Sequence, residues 1–212
     1  MMKLYDFLPC PFGQKVRIVL AEKGLSYELV QIDLTQGEQR RPEFRRLNPF
    51  GRVPVLVDED TTVYDSTIIA EYLEDEYPEP PLLPAVGSSA LRAQARTWED
   101  IADTSFTVQV GQLMAEMSKT ESERDSNRIQ RLQQWIEQML SFLNHQLQGQ
   151  DFLAVQFSVA DIGFMPRLLV LKELGVDPVA NRGNIDGWIK RMLERPSIQN
   201  LQGVTVQPVA GI

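Results

Sequence analysis

Between Tyr77 and Pro84 the chain reads YPEPPLLP, four prolines in eight residues. No helix continues through such a stretch, because proline lacks the amide hydrogen a helix needs and its ring clashes with the preceding turn. The stretch separates two unlike halves. Before it, short β-branched runs alternate with segments of helical period; after it, the periodicity is helical. A proline-rich segment with few apolar residues on either side is where domain boundaries fall. The expected organisation is a first domain over 1–78, a linker over 79–87 and an all-helical domain over 88–212.

In the first half, Lys3 to Phe7 reads as a strand and Val16 to Lys23 as a helix stopped by Gly24. Tyr27 to Ile32 is a second strand. Glu38 to Leu47 is a charged, weakly amphipathic helix, followed by an Asn48-Pro49-Phe50-Gly51 turn. Pro54 to Val57 and Thr61 to Tyr64 are strands separated by a hairpin-like acidic turn. Thr67 to Glu76 puts Ile68, Ile69, Tyr72 and Leu73 on one helical face. The order β-α-β-α-β-β-α fits a four-stranded mixed sheet with helices on both faces. The fold class is therefore α/β plus all-α.

In the second half, helices are expected over 88–117, 126–148, 159–174 and 181–194. The stripe of Leu132, Trp135, Ile136, Met139, Leu140 and Leu143 is core packing. Ser158-Val-Ala-Asp161 has the form of a capping box, with Ser158 Oγ accepting from the Asp161 N–H and the Asp161 carboxylate from the Ser158 N–H. The tail GVTVQPVAGI is expected to be disordered or to lie over a dimer.

Composition narrows the function. The net charge of −8 disfavours general binding to nucleic acid or anionic membranes. Cys10 and His145 are the one cysteine and the one histidine. An intramolecular disulfide is excluded, and a Cys/His zinc site is disfavoured. His145, with no partner motif, reads as structural or exposed. No apolar run is long enough to span a membrane, and MMKLYDFLPC lacks the apolar core of a signal peptide. A cytoplasmic protein without a metal is expected.

Three places could carry chemistry. Cys10-Pro11-Phe12 joins the first strand to the first helix, where the helix dipole favours a thiolate and proline costs no needed hydrogen bond. Cys10 is either a thiol for disulfide exchange, resolved by an external thiol, or a small buried hydrophobe. Val53-Pro54 opens a strand. A cis bond there would offer the Val53 backbone to an extended peptide; the alternative is a trans proline on a sheet edge. Asp65-Ser66 lies between strand and helix, either holding a carboxylate and an ammonium or simply capping the helix. Arg40, Arg41, Arg45 and Arg46 form a basic cluster, read as a solvated face or as a carboxylate trap.

The segments CPFGQKVRIVLAEKGL, PEFRRLNPFGRVPVLVDED, YDSTIIAEYLEDEYP and SVADI, in this order and at these spacings, resemble the glutathione transferase superfamily across nearly the whole chain. The resemblance implies a thioredoxin-like first domain, a helical-bundle second domain, a homodimer and glutathione as co-substrate. It implies that Val53 pairs with the cysteinyl part of glutathione on a cis Pro54, that Asp65 and Ser66 hold the γ-glutamyl end, and that Arg41, or else Gln39 or Arg40, meets the glycyl end. Arg52 would lie near the peptide, and Phe12 at the mouth of the site. Cys10 stands where the theta- and zeta-like classes carry serine, and CPF is similar to the omega-like motif. The tyrosine of the alpha, mu and pi classes is unmatched, its ungapped equivalent being Asp6. Leu8-Pro9-Cys10 departs from the serine-rich motif of the zeta-like isomerases. An electrophile pocket is implied beside Leu8 and the first helix after the linker. Phe106, Val110 and Met114 recur there at helical spacing, facing either the core or a ligand, with core packing favoured.

The expected activity is transfer of glutathione to small hydrophobic electrophiles, in detoxification. One alternative is a glutathione-dependent thiol transferase or reductase in which Cys10 becomes covalent, with peroxidase as a possible side activity. Another is a non-enzymatic member of the superfamily that binds a partner, as transcription-associated starvation proteins do.

Overall fold

The computed structural model describes residues 1–205. Residues 206–212, and with them most of the GVTVQPVAGI tail, lie outside the described residues. Met1–Leu82 and Leu201–Gly203 form one compact unit, and Leu83–Asn200 form a second.

Among the described residues, the first unit holds a four-stranded sheet of order β2-β1-β3-β4, made of β1 (Lys3–Asp6), β2 (Glu28–Gln31), β3 (Val55–Asp58) and β4 (Thr61–Tyr64). β1 runs parallel to β2 and antiparallel to β3, and β3 is antiparallel to β4. Side chains alternate across the pleat. Tyr5 and its partner Val55 face one side, where Ile32, Leu34 and Phe44 complete a core. Leu4, its partner Leu56 and Asp6 are buried on the other.

α1 (Pro11–Glu22) begins five residues before the expected Val16. Proline suits the first helical position because that amide would be unpaired anyway. α3 (Ser66–Glu76) packs beside α1. The expected helix over 38–47 is divided: a single 3₁₀ turn, Glu38–Arg40, precedes α2 (Pro42–Leu47). Arg41 between them is extended, at φ −65° and ψ 145°, because the ring of Pro42 excludes the helical conformation from the residue before it.

The end of the unit is tied down by one lysine. Lys23 Nζ, fully buried, donates to Glu74 Oε2 at 2.9 Å, to the Tyr77 carbonyl at 2.7 Å and to the Pro80 carbonyl at 3.1 Å. Glu74 Oε2 also accepts the Leu82 amide at 2.9 Å. The proline-rich stretch thus has few donors of its own but is held by a buried ion pair.

In the second unit the expected helix over 88–117 is interrupted. α4 (Ser89–Asp100) passes through a wide π turn, Ile101–Phe106, into α5 (Thr107–Met117). The wide turn lies where α7 (Val159–Leu168) approaches closely: a Cβ at Gly163 would stand 2.9 Å from the Ala102 Cβ. α6 (Ser126–Gln146) is capped by Asp125, which accepts the Arg128 amide at 3.0 Å. Its Leu132, Ile136, Leu140 and Leu143 are buried. The helix expected over 159–174 ends at Leu168, two residues beyond the in-helix Pro166, and only a short turn, Lys172–Leu174, comes after it. α8 (Gly183–Leu193) and α9 (Pro196–Gln199) complete the unit.

The expected capping box at the start of α7 is present. Ser158 N donates to Asp161 Oδ2 at 3.0 Å, and Ser158 Oγ also accepts the Ala160 amide at 3.3 Å. Asp161 does more than its motif implies. Its Oδ1 accepts the Leu153 amide at 3.0 Å and Trp188 Nε1 at 2.9 Å. Among the described residues, no helix is long and apolar enough to cross a membrane.

Candidate functional site

The strand register brings three loops together. Tyr5 pairs with Val55, and Val55 with Tyr64. The C-terminal end of β1, the N-terminal end of β3 and the C-terminal end of β4 therefore share one end of the sheet. The segments that leave or enter there are Phe7–Cys10, Arg52–Pro54 and Asp65–Ser66.

The Val53–Pro54 bond is cis. Proline has no amide hydrogen, and the ladder to β1 and β4 starts only at Val55. The approach to Pro54 is braced by Asn48, which is buried. Asn48 Nδ2 donates to the Arg52 carbonyl at 2.7 Å, while its Oδ1 accepts the Phe50 amide at 3.0 Å. Gly51 has φ 63°, and a Cβ there would stand 2.8 Å from the Gln39 carbonyl oxygen. Only glycine allows the loop to lie so close to the 3₁₀ turn.

Arg52 is exposed. Arg41 is mostly exposed and pairs with Glu38 Oε1 at 3.0 Å. Arg40 is exposed, and Gln39 is buried with no hydrogen bond to its Oε1.

Asp65 caps α3: its Oδ1 accepts the Thr67 amide at 3.0 Å and the Ile68 amide at 3.4 Å. It does so at φ 78° and ψ 130°, a conformation a side chain adopts only where surrounding structure holds it. Ser66, next in the chain, is buried at the helix start. The dipole of such a helix end favours an anion.

Cys10 is the N-cap of α1, and its side chain is fully buried. Its amide donates to the Phe7 carbonyl at 2.7 Å, and its carbonyl accepts the Gln14 amide at 2.9 Å. Phe12 and Leu8 are half-buried on either side. Asp6, on the strand beneath, is completely buried. It accepts the Phe7 amide at 2.7 Å and forms an ion pair with Arg17 Nε at 3.1 Å. A side chain at Gly13 would collide with the Asp6 carboxylate, so the first turn of α1 rests directly on it. Burial pushes the Asp6 carboxyl up to about 7 against the opposing pull of Arg17. Tyr5 points to the other side of the sheet, its ring 6.5 Å from that of Phe44.

Cys10, Val53, Pro54, Asp65 and Ser66 thus come from loops at one end of the sheet. Phe106, Val110 and Met114 lie in the core of the second unit, at 1% exposure or less. The Phe106 ring is 5.2 Å from that of Phe164, and Met114 Sδ accepts from Arg167 at 3.0 Å. They serve as packing, the reading favoured by their spacing. Sequence reasoning missed Asn48, Gln14, Arg17 and Asp6, polar groups that brace these loops from below. A buried polar residue in an apolar helix, as Gln14 and Arg17 are in α1, was the available signal.

A β-α-β-α-β-β-α sheet unit with a cis proline opening its third strand, followed by an all-helical unit, defines a class of architecture. Residues 4–81 match the glutathione S-transferase N-terminal domain, and residues 104–196 the glutathione S-transferase C-terminal domain. The chain belongs to the glutathione S-transferase family. Glutathione S-transferase Z2 of Arabidopsis thaliana is 46% identical over 84 residues, which are 40% of this chain and 38% of that protein. A stringent starvation protein A homolog of Pasteurella multocida is 34% identical over 199 residues, covering 92% of this chain and 86% of its own. Glutathione transferase URE2P6 of Phanerochaete chrysosporium, solved in complex with oxidized glutathione, superimposes with a TM-score of 0.84 at 31% identity, covering 94% of each chain.

Proposed function

We propose that this protein is a glutathione transferase that binds glutathione at the sheet end, stabilises its thiolate and transfers it to small hydrophobic electrophiles, a detoxifying role. The convergence of Val53-Pro54, Asp65-Ser66 and the tip of α1 carries the reading, because it offers a short peptide one partner for each of its parts. The cysteinyl unit would pair with the Val53 backbone as an added strand. The γ-glutamyl carboxylate would take the Ser66 amide and hydroxyl at the start of α3, with its ammonium toward Asp65. Arg41 or its neighbours Gln39 and Arg40, together with Arg52, would meet the glycyl end, and Phe12 would flank the thiol. Leu8, half-buried before Cys10, would border the electrophile. Two family relatives are named as glutathione transferases, one of them solved with oxidized glutathione, which supports the same reading.

In the reaction the bound thiol loses its proton to solvent. The thiolate sulfur then forms a bond to an electrophilic carbon as the leaving group departs with its electron pair. The dipole and amides at the start of α1 favour the thiolate. A fully buried Cys10 side chain favours this conjugation over a covalent role for Cys10, which would need an accessible sulfur.

Titration calorimetry with glutathione, followed by turnover of an aryl halide in the wild type and Cys10→Ser, tests both points. Saturable binding is expected, with conjugation retained in the variant, since a buried Cys10 takes no covalent part in it. Loss of conjugation together with a wild-type disulfide-exchange activity that depends on Cys10 would transfer the function to the thiol transferase reading.

A second reading has its own support: one relative matched over most of both chains is named a stringent starvation protein A homolog. Under it the chain is an interaction protein, and no glutathione binds at millimolar concentration.

A homodimer is proposed as well. Phe50 is 70% exposed and its ring stands 6.1 Å from that of the partly exposed Tyr64, an apolar pair on the surface of the first unit. The acidic net charge and single cysteine fit a cytoplasmic site.

A further inference from the structure

After α9 the chain returns to the first unit at Leu201–Gly203. It lies against the Phe7–Cys10 turn, and the contact is built from buried side chains. Gln14 Nε2 donates to the Gly203 carbonyl at 2.8 Å and to the Leu8 carbonyl at 3.2 Å. Arg17 donates to the Gln202 carbonyl at 2.9 Å and to the Leu8 carbonyl at 2.6 Å. Two side chains of α1 thus hold the tail and the turn at once. Gly203, at φ 77°, rests on Leu8 so closely that a Cβ would collide with the Leu8 carbonyl and contact its side chain.

Arg17 also pairs with the buried Asp6, whereas Gln14 Nε2 donates to the Leu8 and Gly203 carbonyls. Gln14 is 2% exposed and Arg17 7%, on a helix whose Val16, Ile18, Val19 and Leu20 are wholly buried. Buried donors of this kind are retained where their acceptors are fixed. Besides the nearby Leu8 carbonyl, their acceptors here are backbone carbonyls 189 and 185 residues away. The turn they fix is the one that leads into the buried Cys10.

We propose that Leu201–Gly203 is a strap that holds the Phe7–Cys10 turn in the conformation enclosing the Cys10 thiol, so that detachment of the strap exposes it. With the strap in place, the Leu8 carbonyl is saturated by two donors and the turn cannot swing outward without breaking both. With Gly203 displaced, Gln14 loses one of its two acceptors and the face of Leu8 opens to water. Gln14 and Arg17 are positioning residues in this scheme. The strap itself does not depend on the glutathione reading; its consequence for chemistry rests on Cys10 lying at the reacting end of that site.

The test is the rate at which Cys10 is alkylated by iodoacetamide in the native full-length chain, without glutathione. The thiolate sulfur bonds to the methylene carbon, iodide leaves, and the thiol proton goes to solvent. Gly203→Ala forces the strap off Leu8; Gln14→Leu removes the Gln14 hydrogen bonds to the Leu8 and Gly203 carbonyls while keeping the helix. Each is expected to raise the native-state rate about tenfold, by local opening with the rest of the domain closed. Hydrogen exchange of the β1 and β3 amides, followed in parallel, is expected to stay at wild-type levels. Rates within about twofold of wild type in either variant, or acceleration matched by exchange throughout the sheet, overturns the strap. Because the readout needs no glutathione, failure of the strap and failure of the transferase reading are told apart.

Discussion

Asp6 shows at the scale of one residue how position alters chemistry. It lies under the first turn of α1, against Gly13 and Arg17. Burial raises its carboxyl from 3.8 to about 7. The folded state therefore binds the proton more tightly than the unfolded chain does. The stability this group contributes is fully present below about pH 4 and is lost as pH rises through about 7. Asp161 acts in the same direction, raised to about 6 by burial despite its four donors. Asp6→Asn is expected to flatten the fall in unfolding free energy between about pH 4 and 7 by roughly 1–3 kcal/mol, measured by urea titration at several pH values. An unchanged slope would assign the pH dependence to other groups. Nothing in the sequence distinguished Asp6 from an ordinary strand-end aspartate, since its shift comes from residues on α1.

At the scale of the element, α7 depends on one carboxylate. A capping box ordinarily joins two residues of a single helix start. Here Asp161 also accepts from Leu153 in the preceding loop and from Trp188 on α8. It therefore fastens three pieces of the second unit. Asp161→Ala would leave buried amide and indole donors without acceptors, and about 3–5 kcal/mol of stability should be lost, read from the chemical denaturation midpoint. A loss near 1 kcal/mol would mean that the residue is only a cap. The motif itself was legible in the sequence; its tertiary partners were not, because Leu153 and Trp188 carry no periodic relation to it. The same limit applies to the helix over 88–117, whose widened turn lies at a contact with Gly163 rather than at any local breaker.

At the scale of the whole molecule, assembly is the property most open to test. Phe50 comes directly after Pro49 in the turn before β3, and its exposure has no explanation within one chain. Phe50→Arg is expected to convert a dimer to a monomer in sedimentation velocity, with the far-ultraviolet circular dichroism unchanged. A dimer that persists would place the interface elsewhere. The candidate site was legible at this scale to an uneven degree. Val53-Pro54 and Asp65-Ser66 announced themselves through what proline, a strand start and a helix start require. Phe106, Val110 and Met114 could not be assigned from spacing alone, because a core stripe and a ligand-facing stripe have the same period.

The sequence by itself determined the order of strands and helices before the proline-rich stretch, the helical nature of the half beyond it and the start of α7. Those features rest on backbone chemistry and on periodicities of two and 3.6 residues, which are local properties. The tertiary structure alone decided which buried polar residues meet, where the long helix widens, and that Gly203 comes to lie on Leu8. Each depends on segments far apart in the chain, and the free energy of a buried hydrogen bond is set by whichever partner the fold delivers.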